Sequence, residues 1–106
     1  MLTSKQRAFL RGLANSEDVI LFVGKSGVID TVIDQADGAL RTRELIKGKA
    51  LEASPVTSRQ AAEDIAARTG SEVVQVIGRC FVLFRRNEKE PVVSDKLPRD
   101  KKQNHG

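Results

Sequence analysis

The chain has 106 residues, which fits one ordinary domain and is shorter than most folds that hydrolyse nucleotides. It carries 18 Lys and Arg against 14 Asp and Glu, a formal charge of +4, which favours an anionic partner. A single cysteine, Cys80, excludes an internal disulfide framework and a cysteine-based zinc site. No apolar run approaches the roughly 20 residues of a membrane span, so we expect a cytoplasmic protein without a membrane partner.

The first half of the chain predicts a helix, a strand and a second helix. Thr3 and Gln6 form a capping box, and apolar side chains recur after them at helical spacing. The run 19–23 is continuously apolar, as in a strand covered on both faces. A second helix is expected from Val28, and its exposed face would carry an acidic stripe: Asp30, Asp34 and Asp37.

The second half predicts a strand, a helix and a hairpin. Residues 44–51 have the pattern of a strand that places Lys47 and Lys49 on one side of the sheet. A helix capped by Thr57 stops at Gly70, and strands 72–77 and 80–86 flank a type II′ turn. The order α-β-α-β-α-β-β predicts an α/β (α+β) fold, with three helices packed on a four-stranded mixed sheet.

The composition changes at Asn87. The segment 87–106 contains two of the three prolines and many charges, and its only apolar side chains are Val92, Val93 and Leu97. Such a segment buries too little surface to order itself, so we expect a folded domain over 1–86 and a flexible charged tail over 87–106. The lone His105 lies in this tail, where a solvated role is expected.

The stretch Val23-Gly24-Lys25-Ser26-Gly27 lies between the first strand and the second helix, a position suited to holding phosphate. Gly24-Lys25-Ser26 matches the end of the Walker A pattern, but the first glycine of that pattern is replaced by Val19. Neither later strand ends in an aspartate that could hold magnesium. Without a Ser/His/Asp set or a histidine in the folded part, we expect no enzyme, no cofactor and no small-molecule substrate.

A nucleic-acid backbone is the other phosphate that this loop could hold. Its glycines would let the main chain approach a phosphate, and Lys25 would add a positive charge. Taken alone, the tetrapeptide fits a tight turn with a solvated lysine somewhat better. Base stacking is not expected, because the chain has no Trp or Tyr and its four phenylalanines lie in apolar runs: Phe9, Phe22, Phe81 and Phe84.

Six segments together resemble a known family. They are Leu2-Thr3-Ser4-Lys5-Gln6-Arg7, Leu10-Arg11-Gly12-Leu13-Ala14, Val23-Gly24-Lys25-Ser26-Gly27-Val28, Glu44-Leu45-Ile46-Lys47, Val74-Gln75-Val76-Ile77-Gly78-Arg79 and Val82-Leu83-Phe84-Arg85. In this order and spacing, over residues 2 to about 86, they resemble the CRM domain (chloroplast RNA splicing and ribosome maturation), whose bacterial single-domain members are called YhbY-like.

The resemblance implies an RNA-binding domain similar in topology to the C-terminal domain of translation initiation factor three. It also implies a ribosome assembly role on ribosomal RNA of large-subunit precursors, and we expect a monomer. The G-x-x-G loop of the family corresponds to Gly24, Lys25, Ser26 and Gly27, and its basic helix-one positions correspond to Lys5, Arg7 and Arg11. We add Lys47 and Lys49 as candidate RNA contacts, although a solvated strand face explains them equally well.

Two positions and one segment depart from the family pattern, and the segment is Asn15-Ser16-Glu17-Asp18, which is more acidic than the family version. Gly48 stands where relatives commonly have valine, and Phe84 replaces a frequent tyrosine.

The acidic stripe predicts that RNA approaches the loop from the side of helix one. The alternative hypothesis is a small adaptor that docks on a protein partner, with the GKSG loop only a structural turn.

Overall fold

The structure, a computed structural model, describes residues 2–98. Its elements are α1 (Ser4–Ala14), β1 (Val19–Val23), α2 (Asp30–Arg43), β2 (Leu45–Ala50), α3 (Ser58–Thr69), β3 (Glu72–Ile77), β4 (Cys80–Phe84) and a 3-10 helix (Ser94–Lys96). The predicted order of helices and strands is confirmed. None of the helices within this described range is long and apolar enough to cross a membrane.

The four strands form one mixed sheet in the order β1-β2-β4-β3. Strand β1 runs parallel to β2, and the other two pairs are antiparallel. The β3–β4 turn begins with Gly78, whose φ of +56° is the positive value expected at the first central position of a type II′ turn. The C-terminal ends of β1 and β2 therefore lie at the same end of the sheet as the β3–β4 turn. We call this the loop end.

Each face of the sheet is covered by its own apolar core. The core beneath α2 and α3 contains twelve buried residues: Leu21, Val23, Val32, Ala36, Leu40, Ile46, Ala61, Ala62, Ile65, Ala66, Phe81 and Leu83. A smaller core on the opposite face, which we call the α1 face, joins α1 to the sheet: Leu2, Leu10, Ala14, Leu45, Val74, Val82, Phe84 and Leu97. Side chains that alternate along β2 and β4 supply both cores, as the period of a strand requires.

The predicted caps of α1 and α3 are confirmed, whereas α2 begins later than predicted. Capping boxes of Thr3 with Gln6 and of Thr57 with Gln60 begin α1 and α3. Helix α2 begins at Asp30 rather than at Val28. The reason is the positive φ of Gly27, +73°, followed by a tight turn in which the Ile29 amide donates to the Gly27 carbonyl, 3.1 Å away.

Glu44 ends α2 instead of beginning β2, and its side chain is fully buried. Its φ is +64°, a conformation in which glycine is the usual residue at a helix C-terminus. The carboxylate accepts hydrogen bonds of 2.6–2.8 Å from the hydroxyl of Ser94 and from four backbone amides, those of Asn87, Val92, Val93 and Ser94. Five donors therefore converge on one buried anion.

These bonds dock the segment 87–98 on the domain, where the sequence predicted a flexible tail. Leu97 packs into the core of the α1 face, and the Gln6 side chain donates to the Pro98 carbonyl at 3.0 Å. The segment has few apolar side chains of its own, and it is held mainly through its backbone, which donates to a carboxylate far away in the sequence. The remainder of the predicted tail, including His105, lies outside the described residues.

Replacing Glu44 with glutamine should remove a pH-dependent part of the stability. Burial raises the pKa of Glu44, but the hydrogen bonds from Asn87, Ser94 and Val93 outweigh burial and lower it from 4.5 to about 2. The carboxylate thus stabilises the fold above pH 4.5 by on the order of 3 kcal/mol, and this contribution is lost as the pH falls towards 2. Urea unfolding of wild type and Glu44→Gln across this range should give free energies that converge in acid.

The matched control is Glu63→Gln, since the Glu63 carboxylate is exposed and lies 3.8 Å from Arg59. We expect it to leave the stability at neutral pH within about 0.5 kcal/mol of wild type. A Glu44→Gln variant as stable as wild type at neutral pH would contradict the role assigned to the carboxylate.

Gly48 is explained by the aromatic ring beside it. A Cβ atom at this position would lie 2.4 Å from Cζ of Phe81, a residue that is 1% exposed in the core beneath α2 and α3. The Phe81 ring therefore occupies the space of a side chain on β2. Glycine at position 48 thus leaves room for the aromatic ring of the neighbouring strand.

Gly48→Ala should lower the free energy of unfolding by about 1–3 kcal/mol, because the buried ring must move. Adding Phe81→Leu should make the alanine substitution less costly, which a double-mutant cycle by urea unfolding measures. Gly12→Ala is the control, since its Cβ would meet nothing within 4 Å and alanine favours the helix. Equal costs of Gly48→Ala with and without Phe81→Leu would contradict this packing.

Candidate nucleic-acid interface

The GKSG loop, Gly24 to Gly27, leaves the loop end of the sheet directly after β1. The Gly27 amide donates to the Gly24 carbonyl at 3.0 Å, which closes a turn with Lys25 and Ser26 at its tip. Both tip residues are exposed, and neither their amides nor their side chains form a hydrogen bond or ion pair within residues 2–98. The tip therefore carries two backbone amides without a hydrogen-bond partner in the described part of the chain and one ammonium group, all on exposed residues.

Neighbouring segments hold this turn in place on both sides. Gly27 is buried against Pro55, and the Leu51 amide donates to the Val23 carbonyl at 2.8 Å. On the other side, the Arg68 guanidinium donates to the Val28 carbonyl at 2.9 Å. The loop is thus fixed by the β2–α3 connection and by α3, so its unpaired amides are held in position before any ligand binds.

Two of the other predicted contacts, Lys47 and Lys49, lie on β2 and point to the α1 face. Their strand partners fix this side, because Lys47 pairs with Val82 of the core on that face. Both lysines are half-buried, and neither forms a hydrogen bond or ion pair within the described range. Lys49 is one residue from the end of β2, so it lies close to the GKSG loop.

Helix α1 runs along the sheet, so its three predicted basic residues lie at different distances from the loop. Its first residues lie beside Glu72, which accepts a hydrogen bond of 3.4 Å from the Leu2 amide at the far end of the sheet. Its last residue, Ala14, lines a cleft with Ile77 near the β3–β4 turn. Lys5, in the first turn of α1, is therefore remote from the GKSG loop, and Arg11 lies nearer to it.

Arg7 has protein partners. Its guanidinium donates to the Val73 carbonyl and lies 3.6 Å from the Glu72 carboxylate, with about a third of the side chain exposed. Arg11 is half-buried and has no hydrogen-bond or ion-pair partner within residues 2–98. Of the two arginines of α1, only Arg11 therefore has a side chain without a hydrogen-bond or ion-pair partner among the described residues.

The acidic stripe of α2 lies across the sheet from α1 and is partly neutralised. Asp37 accepts a 2.7 Å hydrogen bond from Arg85, which lowers the pKa of Asp37. Asp30 lies 3.7 Å from Arg68, whereas Asp34 is exposed without a basic partner among the described residues. Negative charge therefore remains on the α2 side, and the unpaired lysines of the sheet lie on the α1 side.

Two further features lie at the loop end, Arg79 and Phe22, and neither is among the predicted RNA contacts. Arg79 lies in the β3–β4 turn, half of its side chain is exposed, and its carbonyl accepts from the Ala50 amide at 2.8 Å. Its guanidinium is 3.7 Å from the exposed carboxylate of Glu52. The second feature is Phe22, for which the prediction of burial is wrong. Of this residue 48% is exposed, compared with 1% of Phe81.

The fold and the site define a small α+β domain with a glycine-flanked basic loop at one end of a mixed sheet. The sequence profile of the CRS1 / YhbY (CRM) domain matches residues 2–85. The chain therefore belongs to the CRM domain family, and the resemblance noted in the sequence is confirmed.

Individual relatives agree with this assignment. "Probable RNA-binding protein YqeI" of Bacillus subtilis is 39% identical over 84% of this chain and 93% of its own length. An "RNA-binding protein" of Haemophilus influenzae is 34% identical over 92% of this chain and 96% of its own length. A solution structure of SAV1595 from Staphylococcus aureus, described as a candidate RNA-binding protein, is similar with a TM-score of 0.71 and 41% identity, covering 82% of this chain and 91% of its own.

The two glycines of the loop should respond differently to substitution. Gly27 has a φ of +73°, and a Cβ there would lie 3.3 Å from Pro55, so Gly27→Ala should cost about 1–2 kcal/mol of stability. A Cβ at Gly24 would have room, since its nearest neighbour, Cδ1 of Leu51, is 4.0 Å away. The free energy of unfolding of Gly24→Ala should therefore stay within about 0.5 kcal/mol of wild type. Thermal unfolding of both variants measures the difference, and equal effects would show that the backbone at Gly27 is not constrained.

Proposed function

We propose that this protein binds RNA through the phosphate backbone, with the GKSG loop as the principal contact. The observation that carries the proposal is the tip of that loop, where Lys25 and Ser26 are exposed residues and neither their amides nor the Lys25 ammonium group has a partner within residues 2–98. Backbone amides held by a fixed turn bind phosphate oxygens well, since little ordering remains to be done on binding. The names of the bacterial relatives support RNA as the anion.

The remaining contacts extend from the loop over the α1 side of the sheet. Lys49 and Lys47 continue the positive charge along β2, and Arg11 continues it on α1. Lys5 and Arg7 would touch only an RNA long enough to follow α1 to the far end of the sheet. Because contacts of this kind go to phosphate, they orient a protein on RNA without reading its sequence.

The charge distribution supports approach from the α1 side. An RNA that approached from the α2 side would meet Asp34 and Asp30, and phosphate next to these carboxylates would be repelled. On the α1 side the charged strand residues nearest the loop are Lys47 and Lys49. The carboxylates on the α2 side and the lysines on the α1 side therefore both favour an approach of RNA from the α1 side.

The particular RNA that we propose is ribosomal RNA in precursors of the large subunit, with a role in ribosome assembly in the cytoplasm. This part of the proposal rests on the resemblance to bacterial CRM proteins. We infer a monomer that acts without a cofactor and without catalysis, as a domain whose specificity comes from the folded shape of its target.

Lys25→Gln should weaken binding to transcribed large-subunit ribosomal RNA and reduce its salt dependence. Loss of one phosphate contact lowers the slope of log affinity against log salt by about 1 and the affinity by roughly tenfold. Filter binding over a salt series measures both quantities. Lys89→Gln is the matched control, because Lys89 is also exposed but follows the far end of β4.

The salt series also tests the adaptor alternative. Phosphate contacts weaken steadily as salt rises, whereas apolar docking on a protein responds little. If wild type failed to bind the ribosomal RNA at low salt, or if Lys25→Gln matched the Lys89→Gln control, the loop would be only a structural turn.

A further inference from the structure

A row of four side chains crosses the sheet at the loop end on the α1 face. Phe22 of β1 pairs with Lys49 of β2, Lys49 pairs with Cys80 of β4, and Cys80 pairs with Ile77 of β3. Residues paired directly across strands point to the same face. The neighbouring pairs Val23 with Ala50 and Leu21 with Gly48 point to the core beneath α2 and α3, which places this row on the α1 face.

Helix α1 leaves this row uncovered. It ends at Ala14, and the following Asn15 borders a cleft of about 170 Å³ lined also by Lys47, Ile77 and Cys80. Phe22 is 48% exposed and Ile77 is 62% exposed. The apolar surface of the sheet is thus open to solvent at the end where the GKSG loop emerges.

The charge around this open surface suits a polyanion. Lys49 lies directly beside Phe22 on the neighbouring strand, and Lys47, two residues before Lys49 in β2, points to the same face. The one acidic strand residue on this face among residues 2–98, Glu72, lies at the opposite end of the sheet. An apolar protein segment docked here would leave both ammonium groups facing it without a counter-charge, whereas a nucleic-acid strand supplies phosphates.

We propose that Phe22 stacks on an unpaired base of the RNA whose backbone lies on the GKSG loop. Phe22 precedes Gly24 by two residues, about 7 Å along the strand, so a nucleotide held at the loop has its base within reach of the ring. Bases within a duplex have both faces covered by their neighbours, and an exposed aromatic ring therefore selects single-stranded or looped-out nucleotides. This inference rests on the proposed phosphate contact and adds the kind of RNA that is bound.

Fluorescence tests the contact directly. The chain has no Trp or Tyr, so Phe22→Trp introduces a single emitter at the proposed stacking position. Oligoadenylate should quench that emission, because an aromatic ring stacked on a base loses fluorescence. Val92→Trp is the control: Val92 is similarly exposed, at 45%, but lies in the C-terminal segment beside Glu44. Quenching of neither variant, or equal quenching of both, would overturn the proposal.

Affinity separates this inference from the phosphate contact. Phe22→Leu should weaken binding to oligoadenylate roughly tenfold and leave binding to an RNA duplex unchanged, whereas Lys25→Gln should weaken both. If Phe22→Leu bound oligoadenylate as wild type does while Lys25→Gln did not, stacking would be wrong and the phosphate contact would stand. If wild type bound neither oligoadenylate, duplex nor ribosomal RNA, both proposals would fall.

Discussion

The pairing of β2 with a strand on each side is the constraint on which the rest of the domain depends. Parallel pairing with β1 brings the C-terminal ends of both strands to the loop end, where the GKSG loop and the β2–α3 connection contact each other. Antiparallel pairing with β4 places the β3–β4 turn at the loop end as well. The alternation along β2 then assigns Ile46 to the core beneath α2 and α3, and Lys47 and Lys49 to the open face.

The other end of β2 is set by the buried carboxylate of Glu44. A glycine would fit the positive φ at this junction more easily, but it could not accept the five hydrogen bonds that hold residues 87–98. Backbone strain at this position is thus offset by the docking of a segment with few apolar side chains of its own. The two ends of the sheet therefore differ. The C-terminal segment covers the end near Glu44, and the loop end stays open to solvent.

This difference organises the proposed interaction with RNA. Lys25 and Lys49 lie at the open end together with the exposed ring of Phe22, and their side chains form no hydrogen bond or ion pair within residues 2–98, whereas several arginines elsewhere are paired within the protein. Arg85, for example, binds Asp37 and the Thr69 carbonyl, and Arg68 fastens the segment after the GKSG loop. The number of Lys and Arg residues alone therefore overstates the positive charge available to RNA, because several of them are paired with carboxylates or carbonyls of the protein.

The sequence by itself determined the order of elements, the capping boxes of two helices, the hairpin turn and the GKSG loop, because each depends on neighbours in the chain. Only the tertiary structure decided which charges are free and which apolar residues are exposed. Phe22 and Phe81 both lie in apolar strands, yet strand pairing and the end of α1 leave one ring open and bury the other. Likewise, Glu44 and the segment it holds are about fifty residues apart, a separation that no local pattern spans.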